Sequence, residues 1–281
     1  MLKLNFNTWV LLALLFATSL AIAVPVAAVQ PIVFLEDLTS FELSDAIRSG
    51  KTTVIIPIGG TEQNGPHMAL GKHNVRGKIL AQRIALQLGN AIVAPILAYV
   101  PEGSYSPPTS HMRWAGTISV SDVAFVGILE GAARSFKVHG FTDIVFIGEH
   151  GGYQKRVDDV AASLNRSWLN EKSDNKDKKV RAHFIPQYYR ASQTAFAQAL
   201  KSNGLSDQQI GVHAGTADTS LMLATDESLV RRDQLAKAAK EGAAAGVTGD
   251  PRPSTVALGE IGVKIIIEQT VKAIREAVSK R

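Results

Sequence analysis

The stretch VIIPIGGTEQNGPHMALGKHN, residues 54–74, decides the fold. It opens as an apolar, β-branched run, Val54-Ile55-Ile56-Pro57-Ile58, which is the pattern of a strand buried on both faces. It then enters a Gly/Pro-punctuated loop that carries Glu62, Gln63, Asn64, His67 and His73. A solvent turn needs Gly, Pro, Asn or Asp, and it has no use for two histidines and a glutamate together. A buried strand that ends in groups able to bind a metal or move protons therefore points to a functional sheet edge.

Outward from this stretch, short β-branched runs alternate with longer amphipathic ones. The spacing predicts strands over 52–58, 91–95, 143–148 and 179–185. Helices are predicted over 75–88, 121–139, 153–170 and 260–279. Strands separated by helices of this length indicate an α/β protein, a three-layer α/β/α sandwich with a mostly parallel central sheet. The polar run NEKSDNKDKK, residues 170–179, reads as a surface loop, because the βα alternation continues across it.

The chain has 281 residues, 46% of them hydrophobic, enough for one sizeable core. A net charge of +5 with no Lys/Arg block interleaved with aromatics argues against a nucleic-acid partner. Residues 1–28 read as a signal peptide: Lys3, an apolar run over 9–24, then Val26-Ala27-Ala28 as the small-residue cleavage site. Ala21-Ile22-Ala23 is a second cleavage candidate, and an uncleaved membrane anchor is the competing reading. The expected location is the periplasm or the outside of the cell, with one domain over 29–281 and no membrane contact after cleavage. With no cysteine in the sequence, disulfides and a lipoprotein anchor are excluded, so the core alone must stabilise an exported chain.

In an open parallel sheet, ligands collect at the carboxyl ends of the strands. Four loops with unusual chemistry are expected near that edge: 59–74, IGEHGGYQ at 147–154, GVHAGTADTSLML at 211–223, and the Pro-rich SYSPPTSHMRWAGT at 104–117. They hold five of the seven histidines together with Glu62, Glu149 and Asp218. Imidazole and carboxylate are ligands of Zn²⁺ and Mn²⁺, and a hydrolytic centre needs three or four of them plus an open position. No HExxH or paired CxxC motif is present, and His139 and His183 lie outside the loops.

These loops resemble those of the creatininase (creatinine amidohydrolase) family. That family's signature is a Pro-x-Gly-x-x-Glu-Gln-His-Gly-Pro-His-Leu-Pro loop with an Asp a few residues on. A His-x-x-Phe-Pro-Gly-Thr stretch, an Asn-Gly-His-Gly-Gly-Asn loop and a His-Ala-Gly-x-x-Glu-Thr-Ser segment follow. Here the motifs read Pro57-Ile58-Gly59-Gly60-Thr61-Glu62-Gln63-Asn64-Gly65-Pro66-His67, His111-Met112-Arg113-Trp114-Ala115-Gly116-Thr117, Gly148-Glu149-His150-Gly151-Gly152-Tyr153 and His213-Ala214-Gly215-Thr216-Ala217-Asp218-Thr219-Ser220. The tail GVTGDPRPSTVALGE, residues 246–260, is similar as well.

The resemblance implies an amidohydrolase, often hexameric, with one or two divalent metals. Carried over, Glu62 and His150 keep the family's ligand types, and Asp218 stands where the family has Glu. The family's metal-binding histidine is Asn64 here, and its metal-bridging aspartate falls on His73. An imidazole ligating through one nitrogen binds one metal, so the swap argues against a two-metal site. The expected centre is mononuclear, with Zn²⁺ first and Mn²⁺ second, held by Glu62, His73, His150 and Asp218, and with Asn64 bonded to a ligand. Glu149 is the expected general base and His213 the proton donor to the leaving nitrogen, while His111 and Trp114 line the pocket. His67 is expected to brace the loop. The expected reaction is hydrolysis of a small, cyclic amide. The alternative is a decayed site on a surviving fold that binds a small ligand or a protein.

Overall fold

A computed structural model describes residues 32–171 and 179–280. The expected signal peptide lies outside the described residues. Four strands, β1 (Thr53–Ile58), β2 (Ala91–Val93), β3 (Asp143–Gly148) and β4 (Arg181–Phe184), form one sheet in the order β2-β1-β3-β4. Every pairing is parallel, and β1 and β3 run in register from Thr53↔Asp143 to Ile58↔Gly148. Both central strands are buried along their whole length, as their near-continuous apolar sequences require.

Pro57 sits inside central β1 without breaking the β1–β3 ladder. Its carbonyl accepts from Leu97 N–H at 3.0 Å, on the side toward β2, whereas Ile58 C=O accepts from Glu149 N–H at 3.0 Å on the side toward β3. The missing proline N–H therefore faces the edge where β2 has already ended.

Ten α-helical segments surround the sheet among the described residues. They are α1 (Ser40–Arg48), α2 (Lys72–Leu88), α3 (Asp122–His139), α4 (Gln154–Asn170), α5 (Gln187–Arg190), α6 (Phe196–Ser202), α7 (Asp207–Ile210), α8 (Thr216–Asp226), α9 (Leu235–Glu241) and α10 (Val256–Ser279). A short π-helical turn, Ala191–Ala195, joins α5 to α6. Alternation along the strands divides the core in two. Ile55, Val145 and Ile147 face α2, α6, α8 and α10, while Val54, Ile56, Ile144 and Phe146 face α3 and α4. This is the expected α/β/α sandwich. A smaller cluster around Met68, Ala214, Met222 and Val247 packs loop 59–71 against α8.

Three boundaries depart from the sequence reading. Helix α2 begins at Lys72 rather than near 75, with Gly71 as its N-cap. Asn74 is a poor helix former, but its side chain is used elsewhere: its Oδ1 accepts from Gly60 N–H at 3.0 Å and its Nδ2 donates to Thr61 Oγ1 at 3.1 Å. Those bonds pin the first turn to the loop and place Lys72, His73 and Arg76 on its inner side, all buried. Strand β2 stops at Val93 because Pro95 has no N–H to continue the ladder. Helix α10 starts early because the Thr255 hydroxyl accepts from Leu258 N–H at 3.1 Å, an N-cap.

Candidate metal centre

The carboxyl ends of β1 and β3 lie side by side, so loop 59–71 and Glu149-His150 meet there. The Tyr153 hydroxyl ties them together. It lies 2.7 Å from Ile58 O and 2.8 Å from Gly59 O, and it accepts from His150 N–H at 3.0 Å. Gly60, at φ +146, turns the chain away from the strand. A Cβ there would stand 2.8 Å from Glu102 Oε1, so the glycine makes room for that carboxyl as well as for the turn.

Glu62 is fully buried at the centre. Its two oxygens face different surroundings. Oε1 accepts from His73 Nε2 at 2.9 Å and lies 3.5 Å from Lys72 Nζ. Oε2 faces His111 Nε2 at 3.3 Å and His150 Nε2 at 3.4 Å, with no hydrogen-bond partner of its own among the described residues. Burial pushes this carboxyl up, but His73, Lys72 and His150 together hold it well below the usual carboxylate range.

Glu102 completes the group. It is buried, and neither of its carboxylate oxygens has a hydrogen-bond partner among the described residues. Burial, followed by the charge of Glu62, pushes its carboxyl up to about 9. Ligand atoms of Glu62, Glu102, His111 and His150 all lie within 4.8 Å of one another. Burial, chiefly, holds His150 down to about 4 and lowers His111, so both rings are neutral at pH 7, the form that ligates a metal. Their Nδ1 atoms are held by Gly152 N–H at 3.2 Å and by Gln63 Nε2 at 3.1 Å, which turns both Nε2 atoms toward Glu62 Oε2.

Sequence reasoning missed Glu102, although it left a signal. Glu102 is the sole acidic residue between 91 and 121, in the same Pro-rich segment as His111.

Of the four expected ligands, Glu62 and His150 come together and the other two are engaged elsewhere. Both ring nitrogens of His73 are taken: Nε2 bonds Glu62, and Nδ1 lies 3.2 Å from Glu149 Oε2 and from Arg76 Nη2. Asp218 is filled by cations. Its Oδ2 accepts from Lys72 Nζ at 2.8 Å and from Ala214 N–H at 3.0 Å, and its Oδ1 from Arg76 Nη1 at 3.0 Å. Burial pushes Asp218 up, but Lys72 and Arg76 hold it well below the carboxylate range.

Glu149, the expected general base, is pinned rather than poised. Arg76 reaches its Oε2 at 2.6 Å, and the Tyr188 hydroxyl donates to its Oε1. Against the opposing effect of burial, Arg76 and His73 bring it down to about 2, so it is a poor proton acceptor at neutral pH.

The ring of His213, the expected proton donor, lies 4.6 Å from that of His111 with the planes inclined at 44°, and its Nε2 donates to Gln63 O at 3.0 Å. Burial, then the charge of Lys72, lowers it to about 3, so it carries no spare proton at pH 7. Trp114 closes the short helical turn that carries His111 and lies under the Arg113 guanidinium at 5.5 Å.

Asn64 donates its amide to Glu62 O at 2.8 Å and to Ala69 O at 3.0 Å, which shapes the backbone of loop 59–71. His67 braces that loop on α8, with its Nε2 3.0 Å from Thr219 Oγ1. His183 bonds Asp143 at 3.0 Å, and His139 sits in the exposed last turn of α3. A cavity of about 690 Å³ opens over the centre, with Glu102, Tyr105, Ser121, His150 and Arg156 in its wall.

A model of the creatininase family, described as creatinine amidohydrolase, matches residues 36–274. The chain belongs to the creatininase family. Members of this family are metal-dependent amidohydrolases. The chain is 30% identical over 118 residues to the mycofactocin precursor peptide peptidase of Mycobacterium tuberculosis, which covers 39% of the chain and 44% of that relative. It is 25% identical to the creatinine amidohydrolase of Pseudomonas putida over 72% of the chain and 75% of that relative. A solved structure named Creatininase Mn superposes with a TM-score of 0.70 at 23% identity, covering 88% of this chain and 99% of that one. A mutant creatininase of Zn–Zn type superposes with a TM-score of 0.67 at 22% identity, covering 88% and 98%.

Proposed function

We propose that this creatininase-family chain is an exported amidohydrolase that opens the C–N bond of a small cyclic amide at one divalent metal, Zn²⁺ or Mn²⁺. The observation that carries the reading is the convergence of Glu62, Glu102, His111 and His150 with three carboxylate oxygens that have no hydrogen-bond partner among the described residues. Buried carboxylates without partners are costly, and a cation is what relieves them. Glu62, His111 and His150 would hold the ion, a three-ligand set that leaves a position open. When bound, the metal supplies an activated water and polarises the amide carbonyl.

The remaining chemistry belongs to this chain's side chains. Glu102 stands in the cavity wall beside Glu62 and His150, so once a bound cation has ionised it, it is placed to take the proton from the attacking water and return it to the departing nitrogen. The His213 and His111 rings, inclined at 44° to one another, offer ring faces to a planar amide. Tyr105 and the hydroxyls around the cavity offer polar contacts to a small substrate. The cyclic-amide class is supported by the Pseudomonas putida relative's name. Export rests on the apolar leader over residues 9–24 and the cleavage pattern behind it.

The test is elemental analysis of the purified protein together with hydrolysis of a panel of lactams and cyclic ureides. About one Zn²⁺ or Mn²⁺ per chain is expected, with turnover lost on chelation and restored by the metal. Glu62→Gln should lose the metal. Glu102→Gln should keep it while turnover falls by a factor on the order of 10²–10⁴. A chain with no metal and no rescue refutes the reading. An intact N-terminus on the native protein, by mass, refutes cleavage after Ala28.

A further inference from the structure

Lys72 is the least expected residue of the centre. Its side chain is wholly buried, and its ammonium lies between Asp218 Oδ2 at 2.8 Å and Glu62 Oε1 at 3.5 Å. Lysine is almost never fully buried unless it is paired. Here the pairing has a specific geometry. Glu62 turns one oxygen, Oε2, toward the His111 and His150 rings, and the other, Oε1, toward His73 Nε2 at 2.9 Å and the ammonium. A carboxylate shared in this way is what bridges two cations, and one of the two is supplied by the protein itself.

The charge inventory agrees. The carboxyl groups of the cluster are the buried Glu62, Glu102 and Glu149 and the partly buried Asp218, and the buried cations facing them are Lys72 and Arg76. With a cation bound and Glu102 ionised, four acids against two bases leave two negative charges, the charge of a single divalent ion. A second ion would leave the interior with two uncompensated positive charges, which is costly in a low-dielectric site.

We propose that the Lys72 ammonium acts as a built-in second cation, so that the centre takes one divalent metal and refuses another. This rests on the one-metal centre proposed above and adds the residue that enforces its nuclearity. Without Lys72, the groups left facing one another are Glu62 Oε1, Asp218 Oδ2 and His213 Nδ1, the last 3.6 Å from Glu62 Oε1. Two carboxylates and an imidazole are a donor set for Zn²⁺ or Mn²⁺.

The test is Mn²⁺ binding by equilibrium dialysis, with electron paramagnetic resonance as the second readout. The wild-type chain is expected to bind one Mn²⁺ with the spectrum of an isolated ion. Lys72→Met is expected to bind two, with an exchange-coupled spectrum. Lys72→Arg, which keeps the charge, is expected to stay at one. Two coupled Mn²⁺ ions in the wild type, or one in a folded Lys72→Met, overturns the proposal. Should Lys72→Met fail to fold, wild-type crystals soaked in Mn²⁺ decide the matter. One anomalous peak among Glu62, His111 and His150 is expected, and a second between Glu62 Oε1 and Asp218 Oδ2 overturns the proposal. No Mn²⁺ in the wild type refutes the metal centre itself, an outcome distinct from two.

Discussion

At the residue scale, the buried acid Glu102 and the buried base His67 set opposite limbs of the pH dependence. The Glu102 carboxyl is raised from 4.5 to about 9 in the folded, metal-free chain. The folded state then binds a proton that the unfolded chain has already released. Its contribution to stability is fully present below 4.5 and is lost as pH rises through 9. Melting of the chelated protein should therefore occur at progressively lower temperature from about pH 5 to 9, and Glu102→Gln should flatten that slope.

His67 runs the other way. Burial, then Lys72, lowers it from 6.5 to about 4. Its contribution is present above 6.5 and is lost as pH falls through 4, amounting to about 3 kcal/mol. His67→Gln should remove that part of the acid limb, read as a shallower fall in the urea midpoint between about pH 6 and 4.

At the scale of elements, α8 and α10 hold the Asp218 side of the centre in place. Gly259 of α10 lies so close to α8 that a Cβ would stand 1.9 Å from Ser220 O. Backbone cannot yield there without moving the helix, so Gly259→Ala should cost about 1–3 kcal/mol by denaturant unfolding. It should also weaken Mn²⁺ binding, since α8 carries Asp218 and Thr219, the partners of Lys72 and His67.

Helix α2 shows where sequence reading reached and where it stopped. Its apolar spacing over 75–88 was legible, since Leu80, Ala81, Ile84 and Ala85 form one buried stripe. Its first turn was not, because Lys72, His73 and Asn74 read locally as the end of a polar loop. What makes them helical is the bonding of Asn74 to Gly60 and Thr61 and of His73 to Glu62, contacts made across the loop.

At the scale of the whole molecule, the metal and the fold are coupled. Three buried carboxyl groups and the partly buried Asp218 face two buried cations, so a divalent ion bound only to the folded state should add to stability. At a free concentration about 100-fold above its dissociation constant, the gain is about 2.7 kcal/mol, or roughly 5–10 °C in melting temperature for a domain of this size. Thermal melts with chelator and with added Zn²⁺ or Mn²⁺ measure it, and equal melting temperatures would contradict the centre.

The sequence by itself determined the architecture and the address of the site. Two fully apolar strand runs, each ending in Gly-rich loops with Glu62 and His150, can only be buried side by side, and their carboxyl ends then coincide. Which side chains face one another was decided by tertiary structure. Asp218 and His73 have the right chemistry for ligands, but buried Lys72, Arg76 and Glu149 claim them. Glu102, forty residues from Glu62 in sequence, arrives beside it through the room that Gly60 leaves. The reason is that a charge's role depends on its neighbours and its burial, which spacing along a chain does not encode. In GGTEQNGPHMALGKHN, Glu62 kept the role its pattern promised, whereas the lysine before His73 acquired one only when the fold buried it.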